Sequence, residues 1–135
     1  MTAFAAESPL TRILIVDDDE DLCTMLGTIL FAKHRNIESA YTLAQASTYL
    51  MQQEPDIILL DQNLPDGKGF DFLKKIAPSY PSAKIVMMTS HTFDDDEQHP
   101  LKLGASYFMP KPFTLQAIVQ LIEHLTPANT LQLEV

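Results

Sequence analysis

The sequence predicts a doubly wound α/β fold, in which a five-stranded parallel sheet carries helices on both faces. Short apolar runs alternate with segments of helical periodicity along the chain. The apolar runs lack the polar alternation of a sheet that faces water on one side, which indicates strands that are covered on both faces. A length of 135 residues suits a single domain with a substantial buried core.

Five apolar runs predict the strands. Because helices cover both faces of a parallel sheet, its strands appear in the sequence as nearly continuous apolar segments. The second run is the weakest of the five, since it carries polar residues. In chain order the runs are Ile13–Val16, Asn36–Tyr41, Asp56–Leu60, Lys84–Met88 and Ser106–Met109.

Four connecting segments have the apolar spacing of one buried helical face. A capping box formed by Thr42 and Gln45 predicts the start of the second helix, and Thr114 is predicted as the N-cap of the last. The Pro-Asp-Gly sequence at 65–67 predicts a turn before the third helix. The expected core positions are Leu22, Met25, Leu26, Ile29 and Leu30; Leu43, Ala46 and Leu50; Phe70, Leu73 and Ile76; and Ile118, Leu121, Ile122 and Leu125.

The segment between the fourth and fifth strands has little periodicity. Its sequence, "HTFDDDEQHPLKLGA", contains Pro100, which lacks a backbone donor and clashes with the preceding turn inside a helix. We therefore expect a short helix with Pro100 near its first turn, or else a mobile segment. The acidic residues 94–97 are predicted to lie in a solvated loop.

Composition and charge exclude several classes of function. With 9 basic and 18 acidic residues the net charge is −9, which argues against direct nucleic-acid binding by this domain. The single cysteine, Cys23, allows no internal disulfide and indicates a reducing compartment. We expect a cytoplasmic protein with no membrane association, because no secretory signal or apolar run of transmembrane length is evident.

Polar residues follow the strands where sites form in this fold, beyond the carboxyl ends of the sheet. Asp17 and Asp18 follow the first strand, Asp61 the third, Thr89 and Ser90 the fourth, and Lys111 the fifth. Carboxylates hold Mg²⁺ together with waters and phosphate oxygens, and a carboxylate can attack phosphorus to form an acyl phosphate. Lys111 could stabilise the charge that develops on the phosphoryl oxygens, and Thr89 could bond one of them.

The acids after Asp18 have a simpler interpretation. Asp19, Glu20 and Asp21 fall in the first turn of the first predicted helix, where the helix dipole stabilises negative charge. We therefore predict that Asp17 and Asp18 serve the metal and that the later acids start the helix.

Four motifs in order, "ILIVDDDE", "DIILLDQNLPDGKGFDFL", "KIVMMTS" and "GASYFMPKPF", resemble the receiver domain of bacterial two-component response regulators. The resemblance extends from Arg12 to about Leu125. It implies the flavodoxin-like receiver fold, with the receiver domain over 11–126. From the sequence itself we expect a disordered leader over 1–10, which ends at Ser8-Pro9, and a C-terminal tail or the start of a linker over 127–135, since Pro127 stops the last helix.

The resemblance also implies a role for each site residue. Asp61 would accept a phosphoryl group from the phosphohistidine of a sensor histidine kinase or phosphotransfer protein. Thr89 and Lys111 would contact that group, Phe108 would be the switching aromatic, and the Lys111-Pro112 bond would be cis. Mg²⁺ or Mn²⁺ would be held by Asp17, Asp18, Asp61 and the backbone carbonyl of Asn63.

The output implied by the resemblance uses the face formed by the fourth helix, the fifth strand and the fifth helix. That face would control an output domain or partner protein, and a homodimer is one form it could take. Asn63 and His91, each two residues past a site residue, are candidate modulators of the lifetime of the phosphorylated form. The unusual fourth segment leaves the mode of output open.

Three alternatives share parts of this pattern. A receiver-fold interaction module that acts without phosphate would have a sequence similar to that of a phosphorylated receiver domain. A Mg²⁺-dependent aspartyl phosphatase of the haloacid-dehalogenase type would use Asp17-x-Asp19, but Glu20 and Asp21 follow that pair and no later acidic pair ends a strand. A flavodoxin-like redox protein would need a hydroxyl-rich phosphate loop after the first strand, where carboxylates stand instead.

Overall fold

The computed structural model describes residues 10–90 and 99–126, which form one parallel sheet with helices on both faces. A two-residue antiparallel ladder, Asn63–Leu64 with Gly67–Lys68, forms a small hairpin after the third strand of the sheet. The main elements are β1 (Thr11–Val16), α1 (Glu20–Ile29), β2 (Arg35–Ala40), α2 (Leu43–Gln52), β3 (Ile57–Asp61), α3 (Gly69–Ile76), β4 (Lys84–Thr89), β5 (Tyr107–Pro110) and α4 (Leu115–Leu125).

The strand order of the sheet is β2-β1-β3-β4-β5, and all neighbouring pairs are parallel. The chain moves outward from β1 to β2 and then crosses back to β3 on the other side. In a doubly wound sheet this reversal leaves a crevice beyond the carboxyl ends of the two central strands. The predicted fold is confirmed, and the reversal lies between β1 and β3.

Side chains from the two faces of the sheet form two separate apolar cores. On one face, Leu14, Leu60 and Met87 pack with α2 and α3. On the other, Ile15, Leu59 and Met88 pack with α1 and α4. Adjacent residues of each central strand thus enter opposite cores, as the alternation of a strand requires. Burial on both faces explains why these strands are continuously apolar.

Local caps fix where the helices begin. The Asp19 carboxylate accepts from the Leu22 N–H at 3.0 Å, and the Thr114 hydroxyl accepts from the Ala117 N–H at 3.0 Å. Thr42 accepts from the Gln45 N–H at 3.0 Å, whereas the Gln45 side chain accepts from Tyr41, one residue before the cap, at 2.7 Å. The predicted N-caps Thr42 and Thr114 are confirmed. Glu20 and Asp21 lie in the first turn of α1 as predicted, whereas Asp19 is its N-cap. None of the helices in the described ranges combines the length and apolar character needed to cross a bilayer.

The core predicted for α1 was partly wrong. Met25 and Ile29 are 47% and 40% exposed, whereas Leu26 and Leu30 are fully buried. Cys23 is buried as well, so the stripe that contacts the sheet runs through Cys23, Leu26 and Leu30. Apolar spacing alone does not determine which edge of a wide apolar face contacts the sheet.

The second strand also differs from expectation. Because β2 lies at the edge of the sheet, only Ala40 of this strand is buried, and Glu38 and Ser39 are exposed. The polar residues that weakened its sequence pattern therefore mark an edge strand rather than one covered on both faces.

The segment before β5 is described only from His99 onward. Residues 99–104 form consecutive turns, with the Lys102 N–H bonded to the His99 carbonyl at 2.9 Å and the Leu103 N–H to the Pro100 carbonyl at 3.0 Å. Pro100 stands near the start of these turns. The predictions for residues 91–98, for the leader apart from Leu10, and for residues 127–135 lie outside the described residues.

The corrected packing of α1 predicts opposite outcomes for two neighbouring substitutions. Leu26→Ala should lower the free energy of unfolding by about 2–5 kcal/mol, because it leaves a cavity against the sheet. Met25→Ala, the matched control on the exposed side, should change it by about 0.5 kcal/mol or less. Urea denaturation followed by circular dichroism measures both values, and equal losses would contradict the packing described for α1.

Candidate functional site

Four polar side chains of the site stand at the carboxyl ends of neighbouring strands. Asp17 directly follows β1, and its N–H continues the ladder to the Ala40 carbonyl at 3.0 Å. Asp61 ends β3 and Thr89 ends β4. The Lys111 N–H bonds to the Thr89 carbonyl at 2.8 Å, so β5 delivers Lys111 to the same edge. The register pairs Val16 with Leu60, and one further step places Asp17 beside Asp61.

Lys111 joins two of the carboxylates. Its Nζ lies 3.0 Å from Oδ1 of Asp61 and 3.3 Å from Oδ2 of Asp17. Burial favours the neutral amine, but the hydrogen bond to Asp61 and the charges of both carboxylates outweigh that effect and raise the pKa of Lys111. The lysine therefore remains a cation at this edge of the sheet.

Three carboxylates lie close enough to share one cation. Oxygen atoms of Asp17, Asp18 and Asp61 all lie within 4.8 Å of one another. Asp17 and Asp61 are buried, at 1% and 7% exposure, and Asp18 faces solvent. Among the described residues, no other group of three or more potential ligands of the His, Cys, Asp and Glu types comes together in this way.

The electrostatics of Asp17 indicate that negative charge exceeds positive charge in this cluster. Burial raises the pKa of Asp17, and the nearby charge of Asp61 raises it further, although the Asp19 N–H and Lys111 partly offset both effects. One ammonium thus faces three carboxylates. Hard oxygen donors with surplus negative charge and one open side fit a divalent cation such as Mg²⁺.

The first turn of α1 holds Asp17 in place. The Asp19 N–H donates to Oδ1 of Asp17 at 2.9 Å, and the Cys23 thiol donates to the Asp17 carbonyl at 3.3 Å. Burial raises the pKa of Cys23 to about 11, so the group remains a thiol at neutral pH. Cys23 is therefore a packing residue, and Asp19 serves as a helix cap.

The loop after Asp61 is tied to α3 through Gln62. The Gly69 N–H donates to the Gln62 carbonyl at 2.7 Å, and the Phe70 N–H donates to the Gln62 side chain at 2.9 Å. Across the hairpin, Nζ of Lys68 donates to Oδ1 of Asn63 at 2.9 Å. Neither Gln62 nor Lys68 was predicted as a site residue, although the Pro-Asp-Gly turn could have indicated that residues 63 and 68 face each other.

Thr89 and Phe108 share one face of the sheet. Met87 pairs with Phe108 in the register, and Thr89, two residues after Met87, lies on the same side of β4. Thr89 is 2% exposed, and the half-buried ring of Phe108 packs against the core next to α2 and α3. The ring of His99 contacts Phe108 edge-on at a centroid distance of 5.4 Å. His91 lies outside the described residues.

The structure brings Asp17, Asp18, Asp61 and Lys111 together as the sequence predicts. Asn63 lies two residues beyond Asp61 at the start of the hairpin, with an exposed side chain. The Lys111-Pro112 peptide bond is cis, as expected.

Comparisons with known proteins match the part of the chain that contains the sheet and the candidate site. The family model described as "Response regulator receiver domain" matches residues 13–123. Response regulator protein PilR of Pseudomonas aeruginosa is 32% identical over 111 residues, which cover 82% of this chain and 25% of PilR. Transcriptional regulatory protein CpxR of Escherichia coli is 32% identical over 110 residues, which cover 82% of this chain and 47% of CpxR. The chain thus spans about half the length, or less, of these relatives.

Solved structures agree with the sequence matches. A CheY-like response regulator receiver domain protein of Methanospirillum hungatei superposes with a TM-score of 0.78 at 28% identity. The superposition covers 85% of this chain and 92% of that one.

The contact between α3 and β3 predicts a strict requirement for glycine at position 69. A Cβ on Gly69 would lie 2.2 Å from the Asp61 carbonyl oxygen and 2.8 Å from the Met87 methyl group. Gly69→Ala should therefore lower the free energy of unfolding by about 1–3 kcal/mol, as overpacking does. Gly27→Ala is the control, since nothing lies within 4 Å of its added Cβ, and it should stabilise the protein by roughly 0.5–1 kcal/mol. Thermal unfolding measures both, and a neutral Gly69→Ala would refute the close contact.

Proposed function

The chain belongs to the response regulator receiver domain family, and from that premise we propose that it is a phosphorylation-driven switch whose phosphoacceptor is Asp61. A phosphohistidine on a sensor histidine kinase or phosphotransfer protein would supply the phosphoryl group. The observation that carries the proposal is the position of Asp61 at the end of β3, 3.0 Å from Lys111 and within the carboxylate cluster.

In the transfer, a carboxylate oxygen of Asp61 forms a bond to phosphorus as the phosphorus–nitrogen bond of the phosphohistidine breaks. The histidine takes a proton and leaves as neutral imidazole, and Asp61 becomes an acyl phosphate. Attack of water on phosphorus later restores the carboxylate and releases inorganic phosphate. The protein would thus promote only its own phosphorylation and dephosphorylation, which makes it a signalling phosphoacceptor rather than a metabolic enzyme.

Positive charge near Asp61 is needed in both steps. Lys111 already contacts the carboxylate, and its raised pKa keeps the ammonium charged to bond a phosphoryl oxygen. Asp17, Asp18, Asp61 and the backbone carbonyl of Asn63 would hold Mg²⁺ or Mn²⁺. When bound, such a cation neutralises the carboxylates and the phosphoryl oxygens.

The response would pass through Thr89 and Phe108. Thr89 would bond a phosphoryl oxygen, and Phe108, on the same side of the sheet, would fill the space that Thr89 leaves. The surface around β5 and α4 would then change shape, together with the segment before β5. Phosphorylation shifts this equilibrium only as far as it stabilises the active conformation over the inactive one.

Partners follow from the proposed switch and from the relatives. PilR and CpxR are named as a response regulator and a transcriptional regulatory protein, and both are longer than the matched region. We infer that the switch controls an output domain or a separate partner protein in the cytoplasm, with homodimerisation as one mode of output. Asn63 and His91 are the residues proposed to adjust the lifetime of the acyl phosphate.

Asp61 is predicted to be the acceptor. Incubation with acetyl phosphate and Mg²⁺ should add one phosphoryl group to the wild-type protein, because Asp61 is a nucleophile beside a cation site. Asp61→Asn should add none, and omission of Mg²⁺ should suppress the reaction in the wild type. Intact-mass spectrometry measures the addition. No addition to a wild type that binds Mg²⁺ would favour a receiver-fold module that acts without phosphate.

Substitution of Thr89 is predicted to separate phosphorylation from the response. Thr89→Ala should still gain one phosphoryl group, yet phosphorylation should change amide hydrogen exchange across β5 less than half as much as in the wild type. Thr89→Ser, which keeps the hydroxyl, is the matched control and should respond almost fully. An undiminished response in Thr89→Ala would disprove the coupling through Thr89.

A further inference from the structure

We propose that Asp66 is a positioning residue for the cation site, because its carboxylate clamps the hairpin that carries Asn63 onto the first turn of α2. The inference rests on the proposed function, since it assumes that the Asn63 carbonyl is a metal ligand. From the sequence alone, Asp66 is predicted only to be part of a turn.

The clamp consists of two hydrogen bonds between distant parts of the chain. Oδ1 of Asp66 accepts from the Leu43 N–H at 2.8 Å, and Oδ2 accepts from the Ala44 N–H at 3.0 Å. A helix leaves its first N–H groups without partners inside the helix. In α2 the Thr42 hydroxyl accepts from the N–H of Gln45, the third residue of the helix. The Asp66 carboxylate, from outside the helix, accepts from the N–H groups of the first two.

Electrostatics favour the same arrangement. The bond from Leu43, followed by the bond from Ala44, lowers the pKa of Asp66, so the carboxylate stays charged at the positive end of the α2 dipole. Contact between the two segments is close as well, since a Cβ on Gly67 would lie 2.9 Å from a methyl carbon of Leu43. The tip of the hairpin is thus held against α2.

The base of the hairpin is held against α3. The Gln62 carbonyl and side chain accept from the Gly69 and Phe70 N–H groups, and these bonds fix the residue between Asp61 and Asn63. Asn63 therefore lies in a short loop that is anchored to α3 at one end and to α2 at the other. If the Asp66 anchor is removed, the hairpin remains attached at its base while its tip is released.

A metal ligand that is held in place costs less to order on binding, so its anchor contributes to affinity. Coupling between two sites is reciprocal, so Mg²⁺ binding should also strengthen the clamp on α2. Two observables follow from this relation: the Mg²⁺ affinity of Asp66 variants, and the protection of the Leu43 and Ala44 amides from exchange in the wild type.

Isothermal titration with Mg²⁺ at neutral pH tests the first observable on the unphosphorylated protein. Asp66→Ala should raise the Kd about tenfold, at the low end of the effect of groups that orient metal ligands. Asp66→Asn should recover part of the loss, because its amide oxygen can still accept from one N–H. Asp71→Asn removes the same charge from an exposed acid whose ion pair is with Lys74, and it should leave the Kd within about twofold.

Amide exchange measured by NMR tests the second observable. Mg²⁺ should slow exchange at Leu43 and Ala44 in the wild type, and that effect should disappear in Asp66→Ala. An unchanged Mg²⁺ Kd in Asp66→Ala, or an equal loss in Asp71→Asn, would overturn the positioning role alone. A wild type that binds no Mg²⁺ would instead overturn the cation site of the proposed function, and this inference with it.

Discussion

Repulsion between Asp17 and Asp61 is the constraint on which the arrangement of the site depends. The register of β1 and β3 places two buried carboxylates side by side, with Asp18 close by. Each neighbouring element reduces the cost of that charge. The start of α1 donates a backbone N–H to Asp17, and β5 brings the Lys111 ammonium between the two acids. The negative charge that these groups leave uncompensated would favour a bound cation.

The strand ends connect the two cores of the sheet. Asp17 and Asp61 continue the alternation of Ile15 and Leu59, whose side chains enter the core next to α1 and α4. Phe108 packs on the opposite face, next to α2 and α3, and Thr89, two residues after Met87, lies on that side of β4. Any change at Asp61 that reached Phe108 would therefore have to pass from one face of the sheet to the other.

The sequence predicts the positions of Asp17, Asp61, Thr89 and Lys111, because parallel strands bring their carboxyl ends to one edge and each residue follows an apolar run. Helix caps are also predictable, since their partners lie within three or four residues. The exposure of Met25 and the edge position of β2 could not be predicted from the sequence, because both depend on how the elements pack against one another. The bonds from the Leu43 and Ala44 N–H groups to the Asp66 carboxylate join residues 23 and 22 positions apart, and no local pattern indicates such pairs.

The burial of Cys23 has a practical consequence for spectroscopy. It is the only cysteine in the chain, is 2% exposed and has its thiol proton engaged with the Asp17 carbonyl. A cysteine introduced at an exposed position such as Leu101, which is 50% exposed, would therefore be the only thiol open to a maleimide dye or a nitroxide. The native cysteine can remain in place, so a label within the turns before β5 could report motion there without any change to the packing behind the acidic site.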